Sequence, residues 1–234
     1  GYCVEREVAG DRDEVLDRMS RTIRANIECR RRAEDAGIDA TFMPVIQGRH
    51  PGDYECCAEA LAHMIERARL VGVGSMCRRP VHGADGLIAV VDRLDQVLPR
   101  QTRLHLFGVK GAAISYLTAF AHRIASIDSQ AYGVSARIAA RRCGQAKTDC
   151  LVADHMTQWL HRQQARLDRP SRQLPVQPEV PPPPEPADPW ERAIAQARRE
   201  IRDLIETGDL DHDETTALWT EQWAADIYSA ASAD

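Results

Sequence analysis

Four polar or glycine-containing clusters draw attention because each directly follows a short apolar segment. Asp128 follows Ile124–Ile127, and a carboxylate held rigidly at the end of a strand can act as a nucleophile. Gln47 precedes Gly48, and its amide can both donate and accept hydrogen bonds, which suits the carbonyl and amide edge of a base such as guanine. The other two clusters are Gly74-Ser75-Met76 and Gly108-Val109-Lys110-Gly111.

Each of these residues also has an ordinary structural interpretation. Asp128 is suited to cap the helix that follows it, since Asp is a favoured N-cap residue. Gln47 is equally an ordinary strand-end residue, and Gly74 an ordinary turn glycine. Met76 suits the hydrophobic core, and Lys110 suits the solvated surface. A functional interpretation therefore depends on whether the chain brings the clusters together.

The elements between the clusters alternate between helices and strands. Helices are predicted over 11–36, 53–68, 84–98 and 111–122, and strands over Phe42–Ile46, Leu70–Val73, Arg103–Phe107 and Ile124–Ile127. Parallel strands need crossovers of this length, so the fold class is α/β with a parallel sheet. Active sites of open α/β sheets and of (β/α)8 barrels lie at the carboxyl ends of the strands. We therefore expect one shared site, on a sheet that is either open or half of a barrel.

The chain also divides by composition. Nine of the 20 residues from Pro170 to Pro189 are proline, which predicts an extended linker over 170–189. Residues 1–169 precede it as the α/β body, and residues 190–234 follow it as a helical tail. Two tail helices are predicted, one carrying an apolar stripe and one over 213–230; the stripe consists of Ile194, Ala197, Ile201 and Leu204.

Composition excludes several classes of protein. The apolar runs are shorter than the ~20 residues that a membrane span needs, so no membrane partner is expected. Seven cysteines, an odd number, favour reduced thiols and a cytoplasmic location over a disulfide framework. The net charge of −5 argues against a uniformly basic coat, yet it allows a local basic groove. The chain begins with Gly1 rather than Met, which predicts a fragment or a processed form.

Four segments, in order and at similar spacing, resemble the tRNA-guanine transglycosylase superfamily, and most closely its branch that modifies DNA with deazapurines. They are Phe42-Met43-Pro44-Val45-Ile46-Gln47-Gly48, Gly72-Val73-Gly74-Ser75-Met76-Cys77-Arg78-Arg79, Leu104-His105-Leu106-Phe107-Gly108-Val109-Lys110 and Ser126-Ile127-Asp128-Ser129-Gln130-Ala131-Tyr132. The resemblance implies a (β/α)8 TIM-barrel fold of which this chain holds the carboxyl-terminal half. A partner chain that supplies the first half, with the family's other catalytic aspartate, is then expected.

The same resemblance implies the roles of individual residues. Asp128 would be the nucleophile that forms a covalent intermediate while guanine is exchanged for a 7-deazaguanine base. The substrate-binding residues would be Gln47, Gly48, Gly74, Ser75, Met76 and Lys110, of which Lys110 would meet a phosphate or the sugar. Arg78 and Arg79 are the candidates for contact with the nucleic-acid backbone, which such side chains commonly provide.

The sequence points to no particular cofactor, although the resemblance implies that a structural zinc is possible. The candidate ligands are Cys143, Cys150 and His155, one short of the four that a closed zinc site uses. The expected nucleic-acid partner is DNA. The alternatives are a tRNA-guanine transglycosylase, a non-catalytic nucleic-acid-binding half of a split enzyme, and an unrelated phosphate-binding α/β protein.

Overall fold

The structure, a computed structural model, describes Val4 and residues 10–77, 79–168, 186–206 and 217–231. Within these residues it contains four strands and nine α-helices. The strands are β1 Val45–Ile46, β2 Leu70–Val73, β3 Arg103–Leu106 and β4 Ile124–Ile127. The helices are α1 Arg12–Asp35, α2 Pro51–Ala60, α3 Ala62–Ile65, α4 Leu87–Val97, α5 Ile114–Leu117, α6 Ala131–Arg142, α7 Asp149–Leu167, α8 Pro189–Glu206 and α9 Ala217–Ala231.

The four strands form one parallel sheet in the order β1-β2-β3-β4. Helices connect successive strands, as parallel pairing requires. The strand ends are in register, because Ile46 pairs with Val73, Val73 with Leu106, and Leu106 with Ile127. The predicted α/β class and parallel sheet are therefore confirmed, and the four predicted clusters begin side by side along one edge.

One face of the sheet forms the core with the helices. Side chains alternate between faces along a strand, and one set is fully buried together with residues of α2 and α4; the strand members are Ile46, Val71, Val73, Leu104 and Leu106. The opposite face carries a different row, in which Val45, Gly72, His105 and Ser126 are cross-strand neighbours. This second row becomes polar towards β4.

The apolar residues that precede Asp128 predict that β4 is a buried strand, and this prediction is wrong. Ala125 and Ser126 are exposed, whereas Ile124 and Ile127 are half-buried against the core. The reason is that β4 lies at the end of the strand order, with only β3 beside it among the described residues.

The other end of the sheet is closed by a side chain. Pro44 and Ile46 direct their carbonyl groups to β2, so the backbone groups of Val45 point away from it. The side chain of Asn26 on α1 forms hydrogen bonds with both of these groups. Its amide nitrogen donates to Val45 O and its oxygen accepts from Val45 N, each at 2.8 Å. Asn26 is itself buried, and its position continues the buried stripe of Val15, Met19 and Thr22.

Several predicted boundaries shift in the structure. The predicted strand Phe42–Ile46 is reduced to β1, and the predicted helix 53–68 is divided at Leu61 into α2 and α3. The predicted helix 111–122 is replaced by α5 with a single 3-10 turn on each side. Here Thr118 donates its hydroxyl hydrogen bond to Ser115 O, a local bond that competes with regular helix. Helix α6 was expected only as the helix that follows Asp128, without bounds, and α7 was not predicted.

By its contacts the chain separates into two compact units, with boundaries between Ser129 and Gln130 and again between Arg162 and Gln163. The first unit holds the sheet. The second holds α6, α8, α9 and most of α7, and the two predicted tail helices are confirmed as α8 and α9, which pack on each other. Within it, Trp223 donates to Glu200 at 2.8 Å. The predicted linker lies almost entirely outside the described residues, so the predicted domain limits stay predictions.

Candidate active site at the carboxyl ends of the strands

The carboxylate of Asp128 is held by the loop that follows the neighbouring strand. Its Oδ1 accepts a hydrogen bond of 2.6 Å from the backbone N–H of Gly108. The backbones pair as well, because Asp128 N donates to Leu106 O and Val109 N donates to Asp128 O. The side chain is nevertheless 55% exposed. Asp128 therefore presents a carboxylate that is anchored at Oδ1 while more than half of the side chain stays exposed.

The alternative role of Asp128 as a helix cap does not match this geometry. Helix α6 begins at Ala131 with Gln130, rather than Asp128, at the N-cap position, and the Gln130 side chain forms no cap hydrogen bond. The carboxylate faces Gly108 instead.

The backbone of Gly108 has a conformation that other residues rarely adopt. Its φ is +71°, and a Cβ atom placed on it would lie 2.9 Å from the Cβ of Cys77. Glycine is the residue that tolerates both conditions. The close approach also shows that the loops after β2 and β3 touch at this point, next to Asp128.

His105 is a site residue that sequence reasoning missed. Its Nε2 lies 3.6 Å from Asp128 Oδ2, and its Nδ1 lies 2.8 Å from the hydroxyl of Ser126. The imidazole is only 17% exposed and packs edge-on against the ring of Phe107, with 4.4 Å between ring centres. A signal was available in the alternation of β4, which places Ser126 and Asp128 on the same face, opposite His105 in the register.

The structure brings Gln47, Gly74 and Ser75 together, as predicted. Gln47 Oε1 accepts a hydrogen bond of 2.6 Å from the hydroxyl of Ser75, and a Cβ on Gly74 would lie 2.7 Å from the amide carbon of Gln47. Ser75 Oγ in turn accepts from Val4 N at 2.8 Å, and Ser75 has a left-handed φ of +58°. The Gln47 side chain is 2% exposed in this arrangement.

A buried cation lies beneath these loops. Arg79, which is 2% exposed, donates hydrogen bonds to Tyr54 Oη and to four backbone carbonyls, those of Gly48, Arg49, Ser75 and Asp85. A guanidinium in this position holds two loops together and cannot reach a phosphate. We therefore replace the predicted backbone contact of Arg79 with a structural role, and Arg78 lies outside the described residues.

Tyr54 belongs to the same network and was also missed. Its hydroxyl donates to Gly74 O at 2.8 Å, which fixes the glycine that was predicted to face a base. Complete burial raises the pKa of Tyr54 to about 12, although the neighbouring Arg79 opposes the shift. The phenol is therefore a neutral hydrogen-bond donor.

Gly48 marks a tight contact with the start of α2. A Cβ on Gly48 would lie 2.5 Å from the Cβ of Asp53, whose Oδ2 accepts from the backbone N–H groups of Arg49 and His50 at 2.9 Å each. Arg12 approaches Asp53 Oδ1 at 2.7 Å. Burial alone raises the pKa of Asp53, but these hydrogen bonds, first that from Arg12, outweigh burial and hold the pKa below its ordinary value.

Two further predicted residues take positions that limit their roles. Met76 is fully buried in the core cluster, which matches its structural alternative. Lys110 is half-buried and precedes a 3-10 turn of three residues, Gly111–Ala113, rather than a long helix whose N-terminus could bind phosphate. Gly111 lies against the side chains of Gln163 and Arg166. The predicted contact of Lys110 with a phosphate or the sugar therefore stays a prediction.

The zinc candidates do not form a ligand set. Cys143 and Cys150 are exposed, and His155 directs Nδ1 to the hydroxyl of Ser135 at 2.8 Å. Among the described residues, no three His, Cys, Asp or Glu side chains converge as metal ligands would. A closed structural zinc site needs four. The residues present therefore do not fit the metal that the resemblance made possible.

The site belongs to a parallel α/β protein that presents an anchored carboxylate, an amide and glycine-rich loops at the carboxyl ends of its strands. Comparison with known protein families then places the chain in one of them. The model of the family DpdA, described as DeoxyPurine in DNA protein A, matches residues 2–180. The chain belongs to this family, the deazapurine DNA modification branch of the tRNA-guanine transglycosylase-like proteins. No curated protein matches the chain. None of the described helices has the length and apolar character to cross a membrane.

Proposed function

We propose that this protein exchanges guanine in DNA for a 7-deazaguanine base, with Asp128 as the nucleophile. Membership of the DpdA family supports the class of reaction. The observation that carries the role of Asp128 is its carboxylate: Oδ1 is anchored by the Gly108 N–H, the side chain is 55% exposed, and the imidazole of His105 lies 3.6 Å from Oδ2. A carboxylate fixed in this way loses less freedom when it meets a sugar than a mobile one does.

The chemistry proceeds by two displacements at the anomeric carbon. Oδ2 of Asp128 attacks C1′, the bond from C1′ to N9 of guanine breaks, and guanine leaves with the electron pair and takes a proton from a general acid, for which we propose the second catalytic carboxylate of the other barrel half. The incoming deazapurine then attacks C1′ from the same face that guanine left, returns its N9 proton to that carboxylate, and releases Asp128. Two displacements retain the configuration of the sugar and leave its phosphodiester bonds intact.

Recognition of the base would fall to the loops after β1 and β2. Gln47 and Ser75 carry complementary polar atoms that now satisfy each other at 2.6 Å. A purine edge offers the same kinds of donor and acceptor, so binding would exchange the bond between Gln47 and Ser75 for bonds to the base. Gly48, Gly74 and Met76 would shape this region, and Lys110 would meet the sugar or a phosphate. A base in duplex DNA would first have to leave the stack.

We propose that the four-stranded sheet is one half of a complete (β/α)8 barrel. Its second face carries His105 and Ser126, polar residues that would line a barrel interior near the site. The other half of the barrel, with a second catalytic carboxylate, would come from a further segment or a partner chain. Closure of the barrel would need strand pairing at both edges of the sheet, at β4 directly and at β1 after Asn26 releases Val45.

Incubation with labelled guanine and either duplex DNA or tRNA tests the proposal, with and without a partner that supplies the other barrel half. Incorporation into DNA, retained after phenol extraction, is expected. Replacement of Asp128 by Asn keeps the size of the side chain, and should abolish both exchange and any covalent adduct seen on a denaturing gel. The Asp39→Asn variant, which changes an exposed carboxylate outside the site, is the matched control.

The outcomes separate the alternatives. Exchange into tRNA alone would make the protein a tRNA-guanine transglycosylase. Salt-sensitive binding of nucleic acid without exchange would support a non-catalytic binding half. Exchange that survives in Asp128→Asn would remove Asp128 from the mechanism.

A further inference from the structure

His105 lies between an oxygen atom of β4 and one of the residue that directly follows this strand. Its Nδ1 faces Ser126 Oγ at 2.8 Å, and its Nε2 faces Asp128 Oδ2 at 3.6 Å. Ser126 projects from β4 opposite His105 on β3, and Asp128, two residues further on, continues the same alternation. The imidazole therefore connects the strand to the carboxylate at its end.

The carboxylate determines where the imidazole carries its proton. A neutral imidazole has one N–H and one lone pair, and a lone pair on Nε2 would face the negative charge of Asp128. The arrangement of lower energy has hydrogen on Nε2, with Nδ1 accepting from the Ser126 hydroxyl. Ser126 suits this role because its hydroxyl rotates to donate or accept.

The imidazole ring of His105 is held in place by its packing against Phe107. Gly72, next to His105 in the register, has no side chain, and a Cβ there would lie 2.7 Å from the Phe107 ring. Phe107 fills that space and packs edge-on against the imidazole. Because His105 is so enclosed, its Nε2 has little freedom to turn away from Asp128.

We propose that His105 is a positioning residue for Asp128, which fixes the plane of the carboxylate by directing Nε2–H to Oδ2 while the Gly108 N–H holds Oδ1. This proposal rests on the base-exchange function proposed above. A separation of 3.6 Å exceeds a hydrogen bond, so the interaction in this state is electrostatic. Such contacts often shorten when a substrate fills the site.

The consequence for the reaction concerns the second displacement. Oδ2 carries no net charge while it is bonded to C1′, and it regains charge as the new base displaces it. A directed N–H stabilises that returning charge and keeps the oxygen aligned with C1′. Loss of His105 should therefore lower turnover more than it weakens binding of the base.

Two replacements of similar polarity separate positioning from a merely structural role. His105→Gln places an amide N–H near the position of Nε2, whereas His105→Asn reaches Ser126 but falls short of Asp128. We expect His105→Asn to lower kcat by about ten- to a hundredfold, as when a partner that orients a reactive ligand is removed. The KM for the base should stay within about twofold, and His105→Gln should recover part of the loss. Equal kcat values for wild type and His105→Asn, or for the two variants, would overturn the proposal.

The pairing of His105 Nε2–H with Asp128 can also be tested by a measurement that does not depend on catalytic turnover. Imidazole 15N shifts of the full chain, with His105→Asn to assign the resonance, report which ring nitrogen is protonated. We expect hydrogen on Nε2 in the wild type, either in the neutral ring or in the imidazolium, and a changed pattern in Asp128→Asn. A neutral ring with hydrogen on Nδ1 alone, or identical shifts in the two proteins, would overturn the pairing. Absence of exchange by the wild type would instead count against the proposed function, while the 15N result would still stand.

Discussion

The side-chain amide of Asn26 forms the hydrogen bonds that another strand would form with Val45. It donates to the carbonyl and accepts from the N–H of Val45, each at 2.8 Å, and it also donates to Thr22 O within its own helix. An unpaired strand edge is a site of unwanted pairing, and a covering helix is one way in which proteins protect it. In this fold α1 protects β1 through one residue.

Replacement of Asn26 by Leu should therefore destabilise the protein. The substitution puts an apolar side chain at the buried position 26 and leaves both backbone groups of the half-buried Val45 without their partner, at a cost of about 2–4 kcal/mol. Urea unfolding followed by circular dichroism measures the change. Gln96→Leu is the matched control, because the partner of the Gln96 amide among the described residues is the exposed side chain of Asp92. Equal losses in the two variants would mean that Asn26 contributes no more than a surface amide.

The buried Arg79 leads to a second prediction, in which charge is retained. Arg79→Lys keeps the positive charge but supplies fewer donors, and a lysine ammonium cannot reproduce the planar set of contacts to Tyr54 and four carbonyls. We expect a loss of about 2–4 kcal/mol from acceptors left without donors. Thermal unfolding provides the measurement, and Arg67→Lys, at an exposed position, serves as the control. A melting temperature equal to that of the control would refute the structural role of Arg79.

The sheet and its strand ends could be predicted because they depend on local patterns. Short apolar segments separated by helical crossovers indicate parallel strands, and small or polar residues then fall at their carboxyl ends. The residues whose roles the sequence did not reveal have roles that depend on contacts between segments far apart in the chain. Arginine is usually a surface residue, and the burial of Arg79 depends on the carbonyls of Gly48 and Arg49, which belong to the distant loop after β1. His105 acquires significance only through the register that sets it opposite Ser126.

Asp53 should make the stability depend on pH in the acid range. Its pKa is depressed in the folded protein, so the charged form is stabilised by folding. The contribution is fully present above the ordinary pKa of an aspartate, about 4, and is lost as the pH falls through the lower folded value. The stability difference between wild type and Asp53→Asn should therefore shrink as the pH is lowered below about 4.

Chemical unfolding at a series of pH values gives this curve. Arg12→Gln should reproduce part of the effect, because it removes the hydrogen bond at 2.7 Å while the backbone donors remain. In Asp39→Asn, which changes an exposed carboxylate, the curve should keep the shape of the wild type. A difference between wild type and Asp53→Asn that is constant with pH would show that charge on Asp53 is irrelevant to stability.

The fit of Gly108 against Cys77 can be tested by adding a single methyl group. Gly108→Ala combines an unfavourable φ of +71° with a Cβ placed 2.9 Å from that of Cys77, so the loop must move and carry its N–H away from Asp128. Gly144→Ala is the matched control, since Gly144 has a φ of +60° but open space around it. Both variants incur the conformational cost, about 1–2 kcal/mol. Base-exchange activity should therefore fall in Gly108→Ala and stay near the wild-type value in Gly144→Ala, although the two variants have the same conformational cost. The double variant Gly108→Ala/Cys77→Gly removes the opposing Cβ and should restore part of the activity, because the new methyl group then has room and the N–H can return to the carboxylate. A double variant that is no more active than Gly108→Ala would contradict this explanation.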